Sequence, residues 1–199
     1  MEDYIYINNN SLSPLLCKNI IEYFEEDKNT HQGQTFGGVD TEVKDTLDLM
    51  IPNENNKENK WFKIVKCLNY EILHNIKKYV KKINEPISNS QGTNDYTLFS
   101  DKPVNYSVFQ IQKYIKNTGK YIYHDDAHIK WENRSQRVFT YLWYLNNIEE
   151  GGETEFWGNR QIKPECGKLL IFPASWTFPH RGKVPVSNDK YILTGWVYY

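Results

Sequence analysis

Two periods of hydrophobic residues divide the chain. Near the start, Leu16, Ile20, Ile21 and Phe24 recur at helical spacing behind Ser13-Pro14. A hydroxyl cap with proline in the first turn predicts a helix there, with one face packed inward. Tyr4–Ile7, just before it, is a short β-prone run ended by three asparagines. A longer stripe, Trp61, Ile64, Val65, Leu68, Ile72, Ile76, Val80 and Ile83, keeps the same period with lysines opposite, and Pro86 is expected to stop it. From Tyr106 the pattern becomes that of strands: Tyr106–Ile115, Tyr121–His124, Arg137–Leu145, Thr154–Trp157, Lys168–Phe172 and Lys190–Tyr198, separated by turn residues. Tyr96–Phe99 reads as a further short strand, Thr30–Asp40 as a loop or loose hairpin, and Asn53–Lys60 and Asn84–Asp95 as polar connections. Short strands with regular turns and no helix between them predict a sandwich or jelly roll.

Composition narrows this picture. A chain of 199 residues is expected to form one domain with a sizeable core. A net charge of −1, with acids and lysines interspersed, argues against general nucleic-acid binding. Aromatics make up 15% of the chain and gather in the strand region, favouring a mainly β core with flanking helices. The three cysteines are far apart and odd in number, so neither a disulfide framework nor a Cys-x-x-Cys metal site is expected. The first residues lack the basic start and apolar run of a signal peptide, and no segment reaches membrane-spanning length. A soluble cytoplasmic protein with no membrane partner is the expectation.

Candidate chemistry centres on His124-Asp125-Asp126. Residues two apart on a strand leave the same face, so His124 and Asp126 can converge on one point. A further histidine, His180, would complete a two-histidine, one-carboxylate set, the type that suits non-haem iron(II) with positions left open for chemistry. Asp125 should point the opposite way. His31, His74 and His128 read as loop or surface residues, and Glu153 with Glu155 as part of a turn and strand.

The ordered series from about Val104 onward resembles the iron(II)/2-oxoglutarate-dependent dioxygenases, in particular the prolyl 4-hydroxylase branch. It comprises His124-Asp125-Asp126, Tyr141–Asn146, Gly151–Phe156, Pro179-His180-Arg181-Gly182 and Lys190–Trp196. The resemblance implies a double-stranded β-helix, with residues 1–95 as helical support and substrate-side loops and 96–199 as the catalytic jelly roll. It implies iron(II) held by His124, Asp126 and His180, with 2-oxoglutarate, O2 and ascorbate in attendance, and release of succinate and CO2. Lys190, ten residues after His180, would hold the far carboxylate of 2-oxoglutarate, with Thr140 offering it a hydroxyl and Tyr114 beside it. Tyr121 and Trp196 would face the substrate, and Trp143 and Arg181 would shape the pocket entrance. Lys44 stands where the family usually carries an arginine, and a lysine cannot make arginine's planar bidentate contact.

The expected reaction is hydroxylation of proline in a peptide or protein. The alternatives are the same oxygenase chemistry on another residue, a free amino acid or a small metabolite, and a non-catalytic jelly-roll binding module. A cupin-like zinc or manganese enzyme fits less well, because it has no use for Lys190.

Overall fold

The computed structural model describes residues 2–52, 57–91, 98–99, 105–130 and 135–198. Two α-helices, α1 (Pro14–Glu25) and α2 (Phe62–Gln91), and a 3-10 turn at Glu2–Tyr4 accompany fourteen strands among the described residues. The first strands are β1 (Tyr6–Asn8), β2 (His31–Gln32), β3 (Lys44–Asp45) and β4 (Leu47–Met50). Next come β5 (Asn105–Tyr106), β6 (Gln110–Tyr114), β7 (Lys120–His124), β8 (Ile129–Lys130) and β9 (Ser135–Tyr144). The last are β10 (Thr154–Phe156), β11 (Arg160–Ile162), β12 (Leu169–Pro173), β13 (His180–Gly182) and β14 (Lys190–Tyr198).

The larger sheet runs β1-β12-β9-β14-β6-β4-β2, with β5 added to β14 and β8 to β9. The smaller runs β11-β10-β13-β7-β3. Strand alternation builds a core on each side of the larger sheet. On β9, Phe139, Tyr141 and Trp143 point toward a cluster that includes Ile20 and Phe24 of α1 and Leu68, Ile72 and Tyr79 of α2. Leu142 and Tyr144, from the same strand, point the other way and meet Phe156 and Ile162 of the smaller sheet. Strands β12 and β14 repeat the pattern: Leu169, Ile171 and Leu193 pack under the helices, Leu170, Phe172 and Ile192 between the sheets. The result is a jelly roll with two helices laid against the outside of its larger sheet.

The helix start expected at Ser13 is present, with its hydroxyl accepting from Leu16 N–H at 3.2 Å. The expected stop at Pro86 is not, because α2 continues to Gln91. One proline removes a single N–H and crowds one carbonyl. Buried Ile76, Tyr79 and Ile83 fix the axis upstream, and the Asn84 carboxamide joins Val80 O at 2.8 Å to Leu98 O at 2.9 Å. Packing outweighs the local cost. Of the strand expected at Tyr96–Phe99, Tyr96 and Thr97 lie outside the described residues, and Leu98–Phe99 form a turn with Phe99 at φ 59. Parts of the two polar connections, residues 53–56 and 92–95, also lie outside them. The loose hairpin at Thr35–Gly38 is closed by paired backbone bonds of 2.9 and 3.0 Å.

Residues 1–95 do more than buttress the sheets. Strand β1 pairs with β12, β3 with β7 and β4 with β6, so the N-terminal half supplies strands to both sheets. No helix among the described residues is long and apolar enough to cross a membrane. All three cysteines are free thiols.

Candidate active site

Strands β7 and β13 of the smaller sheet are antiparallel neighbours, and their register sets His124 directly opposite His180. Asp126 follows β7 by two residues and returns to the same side. Donor atoms of the three side chains all lie within 4.8 Å of one another, with His180 Nε2 3.5 Å from Asp126 Oδ2. Each imidazole is oriented by its own chain: His124 Nδ1 lies 2.8 Å from Ile122 O, and His180 Nδ1 3.1 Å from Phe178 O. Those carbonyls fix the proton on Nδ1 and leave both Nε2 lone pairs facing the centre. Burial, together with the facing His180, pushes His124 down to about 3, so it stays neutral. Burial alone would raise the Asp126 carboxyl; the two histidines, the Thr140 hydroxyl and Arg137 outweigh it and hold the group below its ordinary value. Two imidazoles with Nε2 turned inward and one carboxylate, converging in this way, fit a divalent iron.

Beside this set lies a cavity of about 50 Å³, lined by Gln112, Tyr114, Tyr121, Thr140, Leu142, Thr154, Gly182, Lys190, Ile192, Thr194 and Trp196. Lys190 closes its inner end, 1% exposed, with its ammonium 3.0 Å from Gly152 O and 3.8 Å from the centre of the Tyr114 ring. No carboxylate pairs with it among the described residues. Burial drives it down to about 7, and Glu153 only partly opposes that. A buried lysine held by one carbonyl and a ring face suits an anionic ligand. Tyr114 donates to Gln112 Oε1 at 3.2 Å, and burial raises its hydroxyl well above the ordinary value, so it remains a neutral donor.

Thr140 lines the cavity, but its hydroxyl donates to Asp126 Oδ2 at 2.7 Å. It therefore steadies the carboxylate of the triad, in place of the expected contact near Lys190. The register explains this, since Thr140 pairs with Trp196 while Lys190 pairs with Tyr114. Tyr121 stacks on the His124 ring, with centroids 3.6 Å apart and planes at 15°. Arg137 lies over the Trp196 ring at 3.7 Å and reaches Asp126 O at 3.5 Å, flanking the mouth.

Trp143 and Arg181 do not shape the entrance. Trp143 falls on the opposite parity from Thr140 and Leu142, so it is buried under the helices and donates to Ser11 Oγ at 3.0 Å. Arg181 alternates with His180 and Gly182 along β13 and so turns to the outer face, where it pairs with Glu155 and meets its carboxylate at 2.7 Å. Lys44 is 3% exposed, with its ammonium 2.6 Å from Asp48 Oδ2. It borders a groove of about 420 Å³ that opens onto Asp126, along with Phe36, His128, Arg137 and Trp196. Sequence reading missed Gln112, Ile192 and Thr194, yet the signal was there. Each lies an even number of residues from Tyr114 or Lys190 on the same strand, and so shares its face.

Residues 109–198 match the family model described as the 2OG-Fe(II) oxygenase superfamily. A putative prolyl 4-hydroxylase of Acanthamoeba polyphaga mimivirus is 24% identical over 207 residues, spanning 96% of this chain and 72% of the relative. The viral collagen prolyl hydroxylase of Paramecium Bursaria Chlorella virus-1, solved as a 2OG complex, has a TM-score of 0.62 at 18% identity, covering 98% of this chain and 96% of that one. A Trichoplax adhaerens prolyl hydroxylase, solved with a hypoxia inducible factor peptide fragment, has a TM-score of 0.69 at 18% identity, covering 98% and 84%. The likeness to these solved structures establishes the fold.

Proposed function

We propose that this chain, whose residues 109–198 match the 2OG-Fe(II) oxygenase superfamily model, is a 2-oxoglutarate-dependent dioxygenase that hydroxylates proline in a peptide or protein. The observation that carries the reading is the pairing of a triad with a buried cation. His124, Asp126 and His180 converge at one side of the cavity, and Lys190, which no carboxylate among the described residues neutralises, closes the other. A metal-binding module has use for the triad but none for the lysine.

Iron(II) held by these three residues supplies, with 2-oxoglutarate and O2, oxidising power for a C–H bond as the co-substrate becomes succinate and CO2. The rest falls to the chain. Lys190 binds the distal carboxylate of the co-substrate, and the Tyr114 ring beneath keeps the ammonium in place. Leu142 and Ile192 form apolar walls that keep water from the inner end. Thr140 holds the Asp126 carboxylate in one orientation, and the carbonyls of Ile122 and Phe178 hold the imidazoles. The groove bordered by Phe36, His128 and Trp196 gives an extended chain access to the open side of the triad. Proline as the target draws on the relatives, one of them titled as a complex with a peptide.

The test is mass spectrometry of a proline-rich peptide panel incubated with the protein, iron(II), ascorbate and 2-oxoglutarate, with His180→Ala as control. One oxygen atom added at proline, and absent with the variant, is the expected result. Succinate formed with every peptide unchanged would overturn proline in these peptides and move the reading to a small-molecule target.

A further inference from the structure

Four residues, Gln112, Tyr121, Asp126 and Trp196, border both the inner cavity and the outer groove. Among them Gln112 is unusual. It is 5% exposed, and its Oε1 accepts from the Tyr114 hydroxyl at 3.2 Å. Its carboxamide nitrogen has no acceptor among the described residues. The neighbouring Gln110 differs, for its nitrogen donates to Asp48 Oδ2 at 2.8 Å. A carboxamide donor without an acceptor at the edge of a groove is open to an acceptor that a ligand brings. The indole N–H of Trp196, further along the same wall, is buried without a partner among the described residues.

Register decides which ligand Gln112 faces. The innermost pair of β6 and β14 is Tyr114 with Lys190, where the co-substrate carboxylate belongs. Gln112 pairs with Ile192, one inward-facing step nearer the mouth. Tyr114, Lys190 and Ile192 border the cavity alone, whereas Gln112 also borders the groove. Its free donors therefore meet what arrives through the groove.

We propose that Gln112 is a specificity-determining residue that donates a hydrogen bond to a main-chain carbonyl of the peptide, next to the residue being hydroxylated. The assignment rests on the peptide-hydroxylase reading above. A carbonyl acceptor occurs at every residue of a peptide, so this contact selects for a peptide backbone over an apolar small molecule. Tyr114 sets the direction of the contact, because its hydroxyl occupies Oε1 and turns the nitrogen toward the groove.

The experiment compares the wild type with Gln112→Leu, which keeps the bulk and removes the donor, and Gln112→Glu, which replaces it with an acceptor. Thermal melting within a few degrees of wild type certifies the fold. Binding of the best peptide from the proline-rich panel is measured by calorimetry on the Mn(II)- and 2-oxoglutarate-loaded protein. Affinity for 2-oxoglutarate and peptide-free succinate formation are measured in parallel. The expected result is a loss of about tenfold in peptide affinity for Gln112→Leu, and at least as much for Gln112→Glu. Affinity for 2-oxoglutarate and peptide-free turnover should stay within about twofold. Weakened 2-oxoglutarate binding with unchanged peptide binding would assign the donor to the co-substrate and overturn the proposal, as would no change in either. A wild type that forms succinate but binds no peptide would remove the peptide reading itself, and this assignment with it.

Discussion

Two residues state the chemistry most sharply, and neither is a ligand of the triad. The Thr140 hydroxyl, 2.7 Å from Asp126 Oδ2, orients a carboxylate that is held below its ordinary pKa. Thr140→Val preserves the shape and removes that bond, so metal affinity should fall by roughly 10- to 100-fold with the fold intact. Titration with Mn(II) or iron(II) measures it, and an unchanged affinity would mean that packing alone positions Asp126. Lys190 makes a prediction in pH. Burial has lowered its ammonium to about 7 in the free protein, and a docked carboxylate favours the charged form and raises it. Binding above that point must take up a proton. The apparent dissociation constant for 2-oxoglutarate should therefore be flat below about pH 7 and rise by about tenfold per unit above it. Lys190→Met should weaken binding by roughly 100-fold and abolish the slope. That His124 and Asp126 share a face was legible from their spacing on a strand, whereas Lys190 was marked only by the family resemblance. The partner of Thr140 was not legible, because it depends on which strand lies across from which.

Strand parity governs the next scale. A sandwich or jelly roll was legible from the alternating runs after Tyr106, and the family resemblance chose the jelly roll; alternation also separates Thr140 and Leu142 from Trp143. The register shift on β7, which sets Tyr121 opposite Gly182 and brings its ring onto His124, could not be read, since nothing in Tyr121-Ile122-Tyr123-His124 marks a bulge, whereas Arg181 turns outward by alternation alone. The reach of α2 past Pro86 was hidden for a different reason, because tertiary packing there overrides a local signal. Gly182 shows how closely β13 approaches the cavity. A Cβ added there would lie 3.0 Å from Tyr114 Cε1 and 3.1 Å from its hydroxyl. Gly182→Ala should push the ring from beneath Lys190 and raise the KM for 2-oxoglutarate several-fold, with little change in melting temperature. Steady-state kinetics beside a thermal melt separate that outcome from simple destabilisation.

The whole molecule depends on how its two sheets are tied together. Lys44 belongs to the smaller sheet and Asp48 to the larger, and their fully buried ion pair at 2.6 Å links them beside the groove. Thr46 Oγ1 at 2.7 Å and Gln110 Nε2 at 2.8 Å complete the hydrogen bonds of the carboxylate. Asp48→Ala would leave a buried ammonium unpaired, at a cost of about 3–5 kcal/mol in urea unfolding. Replacing both partners by Lys44→Met and Asp48→Leu should recover most of it. The sequence marked Lys44 as a substituted arginine at the substrate side, but its partner four residues on became visible only once the sheets were assembled. On the proposed reading, two histidines, one aspartate and a buried lysine together couple 2-oxoglutarate to hydroxylation. The most direct measurement is succinate formed from 2-oxoglutarate in air with iron(II), by the wild type, His180→Ala and Lys190→Met. Turnover is expected from the wild type, none from His180→Ala, and recovery by Lys190→Met only at much higher 2-oxoglutarate. A wild type that binds iron yet consumes no 2-oxoglutarate at any concentration would contradict that reading.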